Sequence, residues 1–567
     1  MMHETHVQTR RAADLLVDCL LEQGVERAFC VPGESYLAVL DALYERKERI
    51  SLVVCRNEAG ASTMADAYGK LIGRPGVCFV TRGPGATNAS IGIHTAFQDS
   101  TPLVMFIGQV SRKMRHREGF QEVDFAAMYG PLAKWAVEID DASRIPEYIH
   151  RAFQTAMAGR PGPVVIALPE DMLSDLVQAP RSPAKRAEPI SSSPTPHQLE
   201  KLSALLADAR KPLMIVGGGG WSHEIGARIA SFSERFGIAV VASLRCQDYV
   251  SNRHPNYVGH LAIVSEPSLV ARMSEADLLF VMGARLGEMT TAGYTLVDPT
   301  DHSRPLIHVY PDPEELGRVY QADLAINADA SGMVEALDGL TVPPKHGRQD
   351  WVAACRADYE ASFETPQRDT AIDMARIVST MRDRMPDDTI VCSGAGNYTG
   401  WVHRYWPFTT YRSQLAPTSG AMGYGVPAAV AASILHPDRS VVCFAGDGCF
   451  QMTFQEMATA AQYGARILFV IVNNGMYGTI RMHQEREFPE RVHGTEIFNP
   501  DFVGLAQAYG FHAERVEHDD QFTTALEAAL AAPGSALIEL VTEQNIISVR
   551  GTIASMREKA LAARSTA

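Results

Sequence analysis

The feature that most restricts the fold is a repeated pattern. Short apolar runs rich in β-branched residues stop at glycine or polar turns and alternate with longer stretches of helical periodicity. In the first third these runs are Leu52 to Cys55, Val77 to Thr81, Leu103 to Gly108 and Val164 to Leu168. Strands that are apolar throughout are buried on both faces, and their alternation with helices implies parallel sheets covered by helices. With 567 residues, 46% of them hydrophobic, the chain is too long for one core. Two stretches break the alternation: Ala179 to His197, rich in Pro, Ser and charge, and Thr341 to Asp350, short and polar. Both read as linkers. The expectation is an α/β chain of three doubly wound parallel-sheet domains, at residues 1–185, 190–340 and 360–567.

A formal net charge of −15 argues against nucleic acid or an anionic membrane surface as partner, so an anionic substrate needs a local basic site. The nine cysteines include no Cys-x-x-Cys pair and mostly sit in apolar segments, which predicts buried reduced thiols. The first six residues lack the basic and apolar regions of an export signal, and Thr9 to Gly24 reads as one amphipathic helix. No unbroken apolar run reaches the ~18 residues of a membrane span. A cytoplasmic protein is expected.

Chemistry concentrates where the runs end. Ser440 to Ala445 closes in Gly446-Asp447-Gly448, and Ile467 to Val472 closes in Asn473-Asn474. A strand ending in Gly-Asp-Gly aims a carboxylate at a hard cation while its glycines let backbone N–H groups approach phosphate. Asn474 adds a neutral oxygen. Mg²⁺ shared between a carboxylate, other oxygens and a diphosphate suits this set. Alone, Gly-Asp-Gly is an ordinary turn; the Asn pair closing the next run turns the reading to function. In the middle third, Pro212 to Val216 runs into Gly217 to Gly220, a turn that either cradles a dinucleotide diphosphate or serves packing. Near the N-terminus, Glu58 opens a helix after the first run, and Thr81 to Asn88 (TRGPGATN) forms a tight turn.

Together with these, the segments RNEAGASTMADAYG (56 to 69), GFQEVD (119 to 124), Lys134-Trp135, RPGPVVIALPEDM (160 to 172) and GAMGYGVPAA (420 to 429) stand in collinear order. In them the chain resembles the thiamine diphosphate enzymes of the acetolactate synthase group. The resemblance implies that Glu58 hydrogen-bonds the cofactor's pyrimidine and favours its imino tautomer, and that Met422 wedges between the two rings. It implies Asp447, Asn474 and the Met476 carbonyl as Mg²⁺ ligands, with Gly396, Asn397 and Tyr398 at the diphosphate. Pro32, Pro84, Asn88, Gly446, Gly448, Cys449 and Tyr477 complete the implied cofactor contacts. It further implies a site shared between two chains, hence a homodimer or homotetramer, and acetolactate-type chemistry: decarboxylation of a pyruvate-like 2-oxo acid with ligation to a second carbonyl. Flavin (FAD) occupancy stays open, because Gly283 to Leu286 and Val309 to Asp312 match loosely.

Several positions depart from the group's pattern. Val31-Pro32-Gly33-Glu34 carries Glu34 where a second glycine is usual, which suits a proton donor at the reacting carbon and leaves a non-ligating decarboxylase as an alternative. Gln121 is a candidate to hydrogen-bond a substrate or acceptor carbonyl. Arg82 reads either as the partner of a substrate carboxylate or as an ordinary interface ion pair. Glu170, His483 and Asn397-Tyr398 also differ from the pattern. The remaining alternatives are an oxidoreductase built on the Gly217 to Gly220 turn and a catalytically silent homologue that binds the cofactor.

Overall fold

The computed structural model describes residues 9–178, 182–263, 265–341, 346–365 and 368–565. The first six residues, and positions 179–181 and 342–345 of the two linker segments, lie outside the described residues. The chain divides into two compact units. One comprises Met1–Ile190 with Val430–Leu435 and Gln455–Tyr463; the other comprises Ser191–Ala429, His436–Phe454 and Gly464–Ala567.

Three six-stranded sheets carry the fold, and the strand pairs in each are parallel. The first unit's sheet runs Ser51–Val54, Arg27–Cys30, Gly76–Val80, Leu103–Gln109, Pro163–Pro169, Trp135–Glu138. Its inner strands Gly76–Val80, Leu103–Gln109 and Pro163–Pro169 are buried along their whole length, as expected for strands covered on both faces. One layer of that cover comes from helices Ala12–Glu22 and Ile145–Met157, which pack Leu16, Leu20 and Phe153 into the same core as Phe106 and Ile166.

In the second unit, one sheet runs Tyr257–His260, Ala239–Ala242, Pro212–Val216, Leu278–Met282, Leu306–Tyr310, Leu324–Asn327, the order of a dinucleotide-binding fold. The other runs Gln414–Leu415, Ile390–Ser393, Val441–Gly446, Leu468–Asn473, Ala536–Val541, His512–Val516. Counted along the chain, this last order is the same as that of the first unit's sheet. In both, the chain leaves the first strand for one edge and returns on its other side with the third. The crevice above the carboxyl ends of those two strands is the switch point where open α/β sheets bind ligands. Val31 to Ser35 and Thr81 to Gly85 follow those strands in one sheet; Gly394 to Tyr398 and Asp447-Gly448 follow them in the other.

The segment expected as one helix from Thr9 divides. Thr9–Arg11 pairs antiparallel with Leu176–Gln178, and the helix spans Ala12–Glu22. The Ala12 N–H donates to the Asp175 carbonyl at 2.9 Å, so strand pairing supplies partners that a first helical turn would leave open. All nine cysteines are free and buried. Among the described residues no helix is long and apolar enough to cross a membrane.

The helix after Asn474, Gly478–Glu487, packs against the C-terminal helix Ile553–Ser565 through a buried carboxylate. Glu485 accepts from Arg557 Nε at 2.8 Å and Arg481 Nη2 at 2.9 Å, and the Arg557 bond leads the causes that lower its pKa to about 2. Ionised Glu485 therefore favours the folded state. A depressed acid stabilises fully above its unfolded pKa, so this contribution is present above about pH 4.5 and lost as pH falls through about 2. Hydrogen exchange over residues 553–565 should show protection at pH 7 that fades in that acid window, and Glu485→Gln should already lack it at pH 7. Equal protection in the variant at pH 7 would refute the tether.

Candidate active site

In the second unit the cofactor residues named from the sequence gather on one cavity of about 250 Å³. Gly396, Asn397, Tyr398, Met422, Gly446, Asp447, Gly448, Cys449, Asn474, Met476 and Tyr477 all line it. Strand register brings this about: Gly446 lies beside Val472 in the parallel pair, so the next residues of both strands emerge together. The glycines of Gly-Asp-Gly are required by neighbouring rings. A Cβ on Gly446 would meet the Tyr398 ring at 3.1 Å, and one on Gly448 the Tyr477 ring at 2.7 Å. Met422 is half-buried against the adjoining core and also faces the cavity.

Asp447 is 3% exposed. Its Oδ1 accepts from the Gly448 N–H at 2.9 Å; its Oδ2 accepts from the Gly475 N–H at 2.8 Å and Asn499 Nδ2 at 2.7 Å. Burial pushes its pKa up, and these donors oppose that. Among the described residues no Lys or Arg pairs with it, and no group of three acidic, His or Cys side chains converges for a metal. A buried carboxylate without a counter-cation, beside Asn474 and the Met476 carbonyl, fits an Mg²⁺ that draws its remaining ligands from phosphate and water.

The two asparagines separate in function. Asn473 is saturated: its Nδ2 donates to Glu539 at 2.7 Å, and its Oδ1 accepts from Gly475 and Asn499. Asn474 lines the cavity. Asn499 was missed by sequence reasoning, since a lone Asn in a loop carries no signal. It bridges Asp447 and Asn473 and accepts from Gln451 at 2.6 Å. Outer-shell partners of metal ligands are typically worth ~10–100-fold in metal affinity, so Asn499→Leu should weaken Mg²⁺-dependent cofactor retention by about that factor. A calorimetric titration checks this. Thr479 was also missed. It accepts from the Asn397 N–H and donates to Asn397 Oδ1, both at 3.1 Å.

In the first unit, Asn57 caps helix Glu58–Ile72 through the Ala59 N–H, which places Glu58 in the first turn. Glu58 Oε2 accepts from Asn88 Nδ2 at 3.1 Å, and its Oε1 lies 3.2 Å from where a Cβ on Gly85 would stand. Helix Pro84–Asp99 starts after Gly83, whose φ of 57° few other residues adopt. Pro32, Glu34, Pro84 and Asn88 are exposed around this rim. Gln121 lies against Gly83 and has φ 64°, an uncommon conformation for a non-glycine residue and one found at functional sites.

Arg82 is engaged. It pairs with Glu170 at 3.0 Å, donates to the Phe120 carbonyl at 3.0 Å and stands 3.6 Å from Glu34. Arg82 thus forms an ion pair within its own chain, which neither reading from the sequence named.

Glu456 was likewise invisible to sequence reasoning. This fully buried residue accepts from the Arg56 and Asn57 N–H groups at 3.0 Å and from Thr459, and it lies against Gly60. It thereby anchors the start of the helix that bears Glu58.

In the glycine turn of the middle sheet two backbone carbonyls are engaged by side chains. Trp221 Nε1 donates to the Gly217 carbonyl at 2.8 Å, Tyr249 OH donates to the Gly218 carbonyl at 2.5 Å, and the two rings lie 5.1 Å apart. A Cβ on Gly218 would run into the Gly283 carbonyl. Close packing accounts for Gly217 and Gly218.

Three family models match in chain order. They are the N-terminal thiamine pyrophosphate (TPP) binding domain over residues 10–128, the central domain of thiamine pyrophosphate enzymes over 199–337, and the C-terminal TPP binding domain over 394–540. The acetolactate synthase large subunit of Corynebacterium glutamicum is 32% identical over 91% of this chain and 84% of that relative. The acetolactate synthase isozyme 2 and isozyme 3 large subunits of Escherichia coli are 30% and 31% identical. They cover 94% and 91% of this chain and 95% and 92% of their own lengths. The chain belongs to the thiamine pyrophosphate enzyme family and is acetolactate synthase-like.

Proposed function

We propose that this protein decarboxylates a pyruvate-like 2-oxo acid and ligates the remaining acyl carbon to a second carbonyl compound, using thiamine diphosphate and Mg²⁺. The observation that carries the reading is the 250 Å³ cavity at the switch point, where Asp447, Asn474, Met476 and Met422 meet. The similarity to acetolactate synthase large subunits supports the ligation half. When bound, thiamine diphosphate supplies a nucleophilic carbon that carries the electron pair released as CO₂ departs.

The chain's residues do the rest. Asp447, Asn474 and the Met476 carbonyl hold Mg²⁺, and Gly396, Asn397, Tyr398 and Gly448 surround the diphosphate. Pro32, Pro84 and Asn88 border the pyrimidine. Glu58 holds a proton at the pyrimidine nitrogen. Glu34 and Gln121 address the substrate. In the net reaction the bond from the carboxylate to the oxo carbon breaks, a carbon–carbon bond forms to the acceptor carbonyl, and the acceptor oxygen takes a proton.

This reading joins the first unit's Glu58 to a cofactor held by a second copy's C-terminal region, hence a homodimer or homotetramer. It keeps the domain division at 1–185, 190–340 and 360–567, and nine buried free thiols favour the reducing cytoplasm. The net reaction is redox-neutral and asks no electron transfer of a flavin.

The test is full-length protein with thiamine diphosphate, Mg²⁺ and pyruvate. CO₂ with acetolactate is expected. CO₂ with acetaldehyde alone, also when aldehyde acceptors are supplied, removes the ligation half and favours a decarboxylase using Glu34.

A further inference from the structure

The second unit has a larger cavity, of about 990 Å³. That is the upper end of the ~300–1,000 Å³ range of pockets for drug-sized ligands, far more than a three-carbon acid fills. It shares Ala395, Gly396, Asn397, Gly420 and Thr479 with the cofactor cavity, so the two adjoin.

Its wall is cationic. Arg245, Arg272, Arg404, Arg486, Arg550 and Lys559 line it against Glu266, Glu288 and Asp358, a local excess of positive charge in a chain of formal charge −15. Asp358 pairs with Arg272 at 2.6 Å, and Glu266 alone faces both Arg404 at 3.1 Å and Arg550 at 2.8 Å. One carboxylate between two guanidinium groups leaves positive charge over. Lys559 is exposed and, among the described residues, has no ion-pair partner. His403, on the same wall and 8% exposed, keeps its Nε2 without a hydrogen-bond partner. A buried polar atom left so is rare and points to an occupant. Burial, Arg245 and His260 hold this imidazole neutral.

We infer that this cavity receives the tail of the acceptor, and that the acceptor is a carbonyl compound bearing a carboxylate, phosphonate or similar oxyanion away from its carbonyl carbon. The cations take the tail through charge-assisted hydrogen bonds, and His403 adds a neutral one. The inference rests on the carboligase reading above.

The test supplies full-length enzyme with thiamine diphosphate, Mg²⁺, pyruvate and length-matched acceptors: succinic semialdehyde against butanal, and phosphonoacetaldehyde against propanal. CO₂ and ligated product are followed separately. For at least one pair the anionic member should show kcat/KM ~10-fold or more above its neutral partner, and the pair concerned distinguishes carboxylate from phosphonate. Lys559→Gln, an exposed substitution, should lower that ratio severalfold. Release of CO₂ with both members of each pair used equally, or with neither ligated, overturns the inference and leaves the decarboxylation standing. Absence of CO₂ from any 2-oxo acid removes the underlying reading as well. Stoichiometric flavin, released by acid from the purified protein and read by fluorescence, would mean that another ligand fills the cavity and would also overturn it.

Discussion

Glu58→Gln is expected to lower kcat by ~10²–10⁴-fold, the range of a lost proton-transfer group, while the protein stays folded and still takes up thiamine diphosphate. The substitution preserves shape. Asn57 still caps the helix through the Ala59 N–H at 2.8 Å, and Glu456 still anchors its first residues. An amide oxygen can also still accept from Asn88. A carboxamide, however, cannot hold and release the proton that the pyrimidine requires. Steady-state kinetics with pyruvate, alongside circular dichroism and cofactor titration, separate lost chemistry from lost structure. Turnover within threefold of the parent would remove Glu58 from the reaction. Nicotinamide-dependent turnover that survives the substitution would revive the oxidoreductase alternative.

Asp447→Asn should weaken Mg²⁺-dependent retention of thiamine diphosphate by roughly thirtyfold or more, the effect of truncating a buried hydrogen-bonded charge at about 2 kcal/mol or above. Both oxygens accept N–H groups, one from Gly448 and the other from Gly475 and Asn499. An amide nitrogen at either place therefore points a donor at a donor, and the negative charge opposite the metal is lost. Titration of the full-length protein with the cofactor, with and without Mg²⁺, reads this directly. Retention equal to the parent's would show that the metal is held elsewhere.

Much of the fold was legible because its signals are local. Apolar runs such as Leu103 to Gly108 appear as buried strands extended by a residue, and Gly-Asp-Gly and Asn-Asn stand at adjacent strand ends because a parallel register aligns them. What stayed hidden depends on partners distant in sequence. Arg82 meets Glu170 across 88 positions, Glu456 meets Arg56 across 400, and Asn499 braces Asp447 across 52. No periodicity or spacing encodes such pairs. The Gly217 to Gly220 turn shows the converse limit. Its glycines announce a close approach, yet only the structure shows Trp221 and Tyr249 bonded to the Gly217 and Gly218 carbonyls.

The most direct test of the central claim is the rate at which enzyme-bound thiamine diphosphate exchanges its C2 proton for deuterium, read by NMR after acid quench. The account predicts exchange much faster on the parent protein than on free cofactor, and slow exchange on Glu58→Gln with the cofactor still bound. Exchange on the parent no faster than on free cofactor would contradict it and identify a protein that binds thiamine diphosphate without activating it.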